Sequence, residues 1–218
     1  MLMKQLKSSR FYEFFLRTVS GIFAASLLLG LFACASQKPE KSGFLSDYGN
    51  LVPSSKYEGL YVYRSEENIL NQYSKFYIDH VIAFLSKKGR KRGIDATEIN
   101  KLTEYFRNEL IKAIQDKYEL VGFGQRQAGT LHIKVAITDL EPRGVASGGS
   151  PGKSDINLGG ASAEFEFVDY QTGAVVLMGL ISEKGSRPDD MKTWENTQDV
   201  LRKWAGMLRK SLDEDRDK

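Results

Sequence analysis

The sequence predicts an α+β domain in which two long amphipathic helices pack on a mostly antiparallel sheet. Three observations carry that prediction. Residues 97–117 and the stretch from Trp194 to Leu212 place apolar side chains three or four apart, the period of one helix face. Residues 130–142 and 159–170 alternate apolar with polar, the period of a half-buried strand. Gln171-Thr172-Gly173 then joins the second of these to an apolar run at 174–184, as a hairpin turn would. The expected order is β-α-β-β-β-β-α.

Residues 35–42, polar with one proline, read as a tether. An arm at 43–63 follows, rich in Gly, Pro, Ser and aromatics, with no regular period. Phe44, Leu45, Tyr48 and Leu51 are expected to pack it on the domain, and 57–63 to form a short edge strand. Lys75–Phe84 is aromatic and β-branched, which favours a strand. Its alternation puts Phe76, Ile78, His80 and Ile82 on one face and Tyr77, Asp79, Val81 and Ala83 on the other. In the first helix Ile99, Leu102, Phe106, Leu110, Ala113 and Lys117 share a stripe with Ile114 beside it, and Asp95 or Thr97 caps the start.

Four strands complete the sheet: 118–122, 130–142, 159–170 and 174–184. The third sets Ala161, Ala163, Phe165 and Phe167 against Ser162, Glu164 and Glu166. The fourth is apolar on both faces and belongs near the centre of the sheet or beneath a helix. The terminal helix carries a stripe of Trp194, Thr197, Leu201, Trp204, Leu208 and Ser211/Leu212. Residues 43–213 thus form one domain, and 214–218 are expected to fray as a polar tail.

The first 33 residues read differently. Lys4, Lys7, Arg10 and Arg17 precede sixteen uncharged residues from Val19, too short a run for a spanning helix of about 20 residues. A basic start, a short apolar run and a small residue before a cut point describe a secretory signal. Leu31-Phe32-Ala33-Cys34 resembles the bacterial lipobox, and Cys34 is the only cysteine in the chain. That resemblance implies cleavage before Cys34 and acylation of its thiol, and thus a membrane partner through acyl chains. Several chains on one residue give stable attachment where one gives little. Ala35 follows, not the aspartate of an inner-membrane retention signal, so the expected location is the outer membrane, facing the periplasm.

Charge and composition exclude several classes. The full chain carries 31 basic and 28 acidic residues. Without residues 1–33 the counts become 27 and 27, so the basic excess belongs to the signal and does not indicate a nucleic-acid partner. One cysteine excludes an intramolecular disulfide and a cysteine-rich metal site, and two histidines exclude a three-histidine centre.

The candidate chemistry is thin. Ser147–Ser154 imitates a phosphate loop, with Gly152, Lys153 and Ser154 in place, but Ser147 stands where the first glycine belongs. A strand-like stretch follows instead of a helix, so no nucleotide is expected. Asp79 and His80 are neighbours on a strand and point apart; His132 is placed to approach His80 across the sheet. Glu164 and Glu166 line one strand face, which suits solvent or a helix, with Arg202 or Lys203 as partners, better than it suits a hydrolytic cleft. Lys87, Lys88, Arg90, Lys91 and Arg92 cluster in one loop. With Lys153 they form the candidate contact surface for anionic headgroups or an acidic partner.

Several segments together resemble a family of bacterial lipoproteins known as domain of unknown function 3313. They are the lipobox at Leu31–Cys34, SGFLSDYGNL at Ser42–Leu51, FYIDHV at Phe76–Val81 and HIKVAITDLEP at His132–Pro142. The acidic-aromatic hairpin with Gln171–Gly173 and the helix with Trp194 and Trp204 complete the likeness. The family supplies no active site to carry over, and its members commonly have Asp-Pro where this chain has Asp79-His80. The expected function is an accessory or structural role in the cell envelope, exercised through a protein partner, self-association or envelope contacts. No catalytic residue, metal or cofactor is assigned. A carrier of small molecules or lipid is the alternative that an apolar cavity would favour, and a cell-wall hydrolase the one that a cleft of carboxylates would favour.

Overall fold

A computed structural model describes residues 41–85, 90, 95–125, 127–140, 161–183 and 194–217. Every described residue belongs to one compact unit, Pro39–Lys218.

One sheet organises the domain. Its strands are β1 (Val52–Pro53), β2 (Leu60–Arg64), β3 (Lys75–Ile78), β4 (Ile82–Leu85), β5 (Glu119–Leu120), β6 (Thr130–Leu140), β7 (Ala161–Asp169) and β8 (Val175–Glu183). They lie in the order β1-β2-β8-β7-β6-β3-β5, with β4 also paired to β6. Helices α1 (Ala96–Ile114) and α2 (Trp194–Arg216) contribute to the same apolar cluster as one face of the sheet. The expected α+β class, the two helices and the run of strands between them are all present.

The sheet is mostly antiparallel, as expected, with a parallel part at one end that makes it mixed. β6, β7, β8, β2 and β1 pair antiparallel, whereas β3 and β4 run parallel to β6, and β5 parallel to β3. The reason is α1. A helix between β4 and β5 carries the chain back to its starting end, so the next strand runs in the same direction as the last. Strand 57–63 is also displaced from the expected edge. β2 pairs with β8 on one side and with the two-residue β1 on the other.

The expected strand 75–84 is broken into β3 and β4. Ile78 pairs with Ile133 and Ile82 with Ala136, so three residues on the edge face two on β6. One extra residue reverses the alternation. Val81 therefore joins Phe76 and Ile78 in the main core, and Ile82 is turned out to 44% exposure. Arg107 of α1 clamps the break, donating from Nε to the Asp79 carbonyl at 3.2 Å and from Nη2 to the Ile78 carbonyl at 3.1 Å.

Both helices bury the centre of the stripes their periods predict; in α1, Ile99 and Ala113 are only half-buried, and Lys117 is exposed because the helix ends at Ile114. Leu102, Phe106, Leu110 and Ile114 of α1 meet Leu201, Trp204, Leu208 and Leu212 of α2 over Leu131, Ile133, Val135 and Ile137 of β6. Asp95 caps α1, its carboxylate accepting from Thr97 N–H at 2.7 Å. Trp194 opens α2, and its side chain lies outside the described residues.

The tail does not fray at residue 214. Helix α2 continues through Arg216 because its last acids are engaged. Asp215 is buried and accepts from Arg64 Nη1 at 2.7 Å and from Leu70 N–H at 3.2 Å. Asp213 accepts from Lys117, from the Tyr118 hydroxyl and from Arg209, tying the end of α1 to the end of α2. Among the described residues, no helix is long and apolar enough to cross a membrane.

Candidate functional site

Two places in the domain concentrate polar groups where burial makes them costly, and they lie on opposite faces of the sheet. The first is a polar row on the face away from the helices. Strand alternation builds it: His132 and Lys134 on β6 share that face with Glu166 and Glu164 on β7, with Lys134 paired directly to Glu166.

The two glutamates are the surprise. Glu164 is completely buried and Glu166 is 6% exposed. Neither faces solvent or a helix. The arm covers them, and they hold it. Glu164 accepts from Ser42 Oγ at 2.8 Å, from Ser42 N–H at 3.2 Å and from the Tyr48 hydroxyl at 2.5 Å. Glu166 accepts from Ser46 N–H at 3.0 Å and from Lys134 at 3.4 Å. Burial, reinforced by the bond to Glu164, raises the Tyr48 hydroxyl pKa, so this latch keeps its proton. Leu45 and Leu51 close over Met178 and Leu180 beside it, with Phe44 and Tyr48 partly buried against them, as the sequence predicts. Arg202, expected near the glutamates, binds Asp199 and Tyr105 on the other side of the molecule.

At the far end of the row stands a small Asp–His pair. His132 Nε2 lies 2.9 Å from Asp79 Oδ2, and the Tyr77 hydroxyl donates to Asp79 Oδ1 at 3.3 Å. Tyr77 also covers the imidazole at 4.9 Å between ring centres. Burial pushes the Asp79 carboxyl up. The His80 N–H and His132 outweigh it, and the carboxyl is held below its ordinary value. His132 therefore meets Asp79, not His80. At the broken strand the neighbouring side chains no longer diverge fully, and His80 Nδ1 reaches 3.7 Å from Asp79 Oδ1 with its ring 88% exposed. The pair orients a histidine, the second half of a triad arrangement; no nucleophile is hydrogen-bonded to it among the described residues.

The second place is a cavity of about 200 Å³ between the helix-covered face and α2. Phe165, Phe167, Leu177 and Ile181 line it from the sheet, and Phe106 and Trp204 from the helices. Gly179 sits directly opposite Phe165, and any side chain there would collide with that ring. The turn between β1 and β2 forms part of the wall with Ser54, Lys56 and Tyr57. Lys56 pairs with Glu214 of α2 at 2.5 Å, and Lys210 lies over the Tyr57 ring at 5.5 Å. Sequence reasoning missed this space, because its lining reads as ordinary core.

Of the candidate contact residues, Arg90 is exposed. Lys87, Lys88, Lys91, Arg92 and Lys153, together with Cys34 and the glycine-rich loop, lie outside the described residues. No group of three or more His, Cys, Asp or Glu side chains is placed to hold a metal ion among the described residues.

Among solved structures, the chain is similar to the PelC dodecamer from Paraburkholderia phytofirmans, at 11% identity and a TM-score of 0.38, covering 66% of this chain and 96% of that one. It is similar to protein XCC0632 from Xanthomonas campestris at 9% identity and a TM-score of 0.39, covering 67% and 90%. The C-terminal domain of LpoB from Salmonella enterica matches at 15% identity and a TM-score of 0.28, covering 51% and 82%. Likeness at this level says nothing about activity. No curated protein matches the chain. A family model described as protein of unknown function DUF3313 matches residues 40–208, and the chain belongs to that family.

Proposed function

We propose that this protein is a lipid-anchored accessory or structural domain of the cell envelope, held to the outer membrane by acyl chains on Cys34, facing the periplasm and acting through contacts. The observation that carries the reading is the arm latch. A tether that simply dangled from a lipid would need no fixed attachment point, yet Ser42, Ser46 and Tyr48 are pinned by two buried carboxylates. Seven residues lie between Cys34 and Ser42, eight chain steps with a reach of about 28 Å at full extension. The latch therefore fixes where the tether leaves the domain and limits how far the domain stands from the bilayer.

The same latch speaks against a hydrolase. Glu164 and Glu166 are occupied by the arm and are not ranged across a cleft. Partner contacts are assigned to the basic residues Lys87, Lys88, Arg90, Lys91 and Arg92 and to Lys153, with no nucleotide and no nucleic acid involved. Intact-mass measurement of membrane-extracted protein tests the anchor. The expected product starts at Cys34 and carries added acyl mass, and Cys34→Ser appears in the soluble fraction. A retained N-terminus with an unmodified thiol would sink the reading. Crosslinking in intact cells, followed by mass analysis, tests the contact role; crosslinks should run from the basic segment to an envelope protein or to a second copy.

A further inference from the structure

We propose that the cavity beneath α2 is an acyl-binding site, taking an alkyl chain that ends in a carbonyl or carboxylate oxygen. Three independent features point there. The first is size and surface. The space of about 200 Å³ is lined by aromatic and branched side chains from both the sheet and the helices. An engineered apolar cavity of roughly 150 Å³ is enough to bind benzene. A chain of about seven carbons fits this one, at roughly 27 Å³ per methylene in a close-packed interior.

The second feature is unmet hydrogen bonding. The Tyr57 hydroxyl and Trp204 Nε1 are both buried and have no hydrogen-bond partner among the described residues. Both residues line the cavity. Buried tyrosine and tryptophan normally satisfy these groups, and leaving them unpaired is costly. Each can donate, and the indole can do nothing else. The complementary ligand group is an acceptor: a carbonyl or carboxylate, not an ammonium.

The third feature is the mouth. Lys56 and Glu214 both line the cavity, and their ion pair joins the β1–β2 turn to α2. Their side chains are 53% and 34% exposed, and a pair of that exposure holds little energy. It can part to admit a chain, leaving Lys56 to meet a carboxylate. The apolar body, the donors and the cation at the rim describe the parts of a fatty acyl group in sequence. A free fatty acid and the acyl chain of a membrane lipid share that chemistry, and the test separates them.

Full-length protein carrying Trp194→Phe, reconstituted in phospholipid nanodiscs, keeps Trp204 as its only tryptophan. Bromine on an acyl chain quenches an indole that it contacts. If a free acid is the ligand, 8-bromooctanoate should quench Trp204 saturably in ordinary nanodiscs. If a lipid chain is the ligand, nanodiscs of phosphatidylcholine with brominated acyl chains should quench it with no acid added. Either result supports the site. The acceptor requirement is read separately: 8-bromooctylamine should bind at least tenfold more weakly than the acid, and Tyr57→Phe should weaken the acid by about tenfold. Tyr57→Phe removes an unpartnered hydroxyl, so its melting temperature should stay level or rise. Ala163→Phe fills the cavity from β7 and should abolish quenching; should that variant not fold, the Tyr57→Phe comparison decides. Trp204 left unquenched in both disc types overturns the proposal. So does acid binding that is indifferent to both the amine substitution and Tyr57→Phe.

Discussion

The two faces of the sheet are closed by opposite means. On one face two helices lay apolar stripes across β6, β7 and β8, and the cover is held by burial. On the other an irregular arm lies over the same strands, held by hydrogen bonds to Glu164 and Glu166 and a small apolar patch around Leu45 and Leu51. The lesson is about reversibility. A helix cover of many residues is stable and insensitive to any single polar contact. An arm held by a few bonds to two carboxylates can be loosened by one substitution, which suits the segment that joins a domain to its tether.

Breaking the helix-covered face should have the largest effect. Phe106 is buried against Trp204, with ring centres 6.1 Å apart. Phe106→Ala should cost about 3–5 kcal/mol, a large share of the stability of a domain this size. Denaturant unfolding measures it, and a loss under 1 kcal/mol would show that the helices are not the main cover.

Breaking the latch should cost less and act locally. Glu164→Ala strands the Ser42 and Tyr48 donors that now point at the carboxylate, for about 2–3 kcal/mol. Hydrogen exchange should rise across residues 42–51 while α1 and α2 keep their protection. Uniform loss of protection would mean that the two faces are not separable. Smaller again is Arg107→Met, which keeps most of the side-chain packing and frees the carbonyls of Ile78 and Asp79. About 1–2 kcal/mol is expected, with faster exchange confined to β3 and β4.

The comparison also separates what a sequence can and cannot say. The helix-covered face is written in periods: Leu102-Phe106-Leu110 and Leu201-Trp204-Leu208 follow a helix turn, and Phe165 and Phe167 a strand. The latch is not written that way. Glu164 and Glu166 alternate with phenylalanine as solvent-facing residues do, and their partners lie 116 to 122 positions earlier in the chain. Period reports which side of a strand a residue occupies, not what covers that side. It is equally silent on neighbours, so the parallel pairing of β3 with β6 had no signal in the pattern. The extra residue at Asp79–Val81 was hidden because alternation continues through it when the partner strand is unknown. The cavity left no trace because apolar lining and apolar core are the same letters.

Acid should sharpen the contrast by a small but directional effect at the far end of the helix-covered face. Burial raises the Asp213 carboxyl, but bonds from Lys117, Tyr118 and Arg209 reverse this and depress it far below its ordinary value. A carboxyl whose folded pKa lies below its unfolded value stabilises the folded state above the unfolded pKa. That contribution is lost as pH falls from about 4 toward the folded pKa. Asp79 shifts the same way, through the His80 N–H and His132 acting against burial. Melting temperature should therefore be level near neutrality and fall below about pH 4. Asp213 is part-exposed and screened, so Asp213→Asn should lower the neutral plateau only slightly. Its signature is a shallower acid limb, because the variant has one linked proton fewer to take up. If Asp213→Asn instead shifts the whole curve down in parallel, the Lys117–Tyr118–Arg209 cluster acts through packing and not through the charge on Asp213.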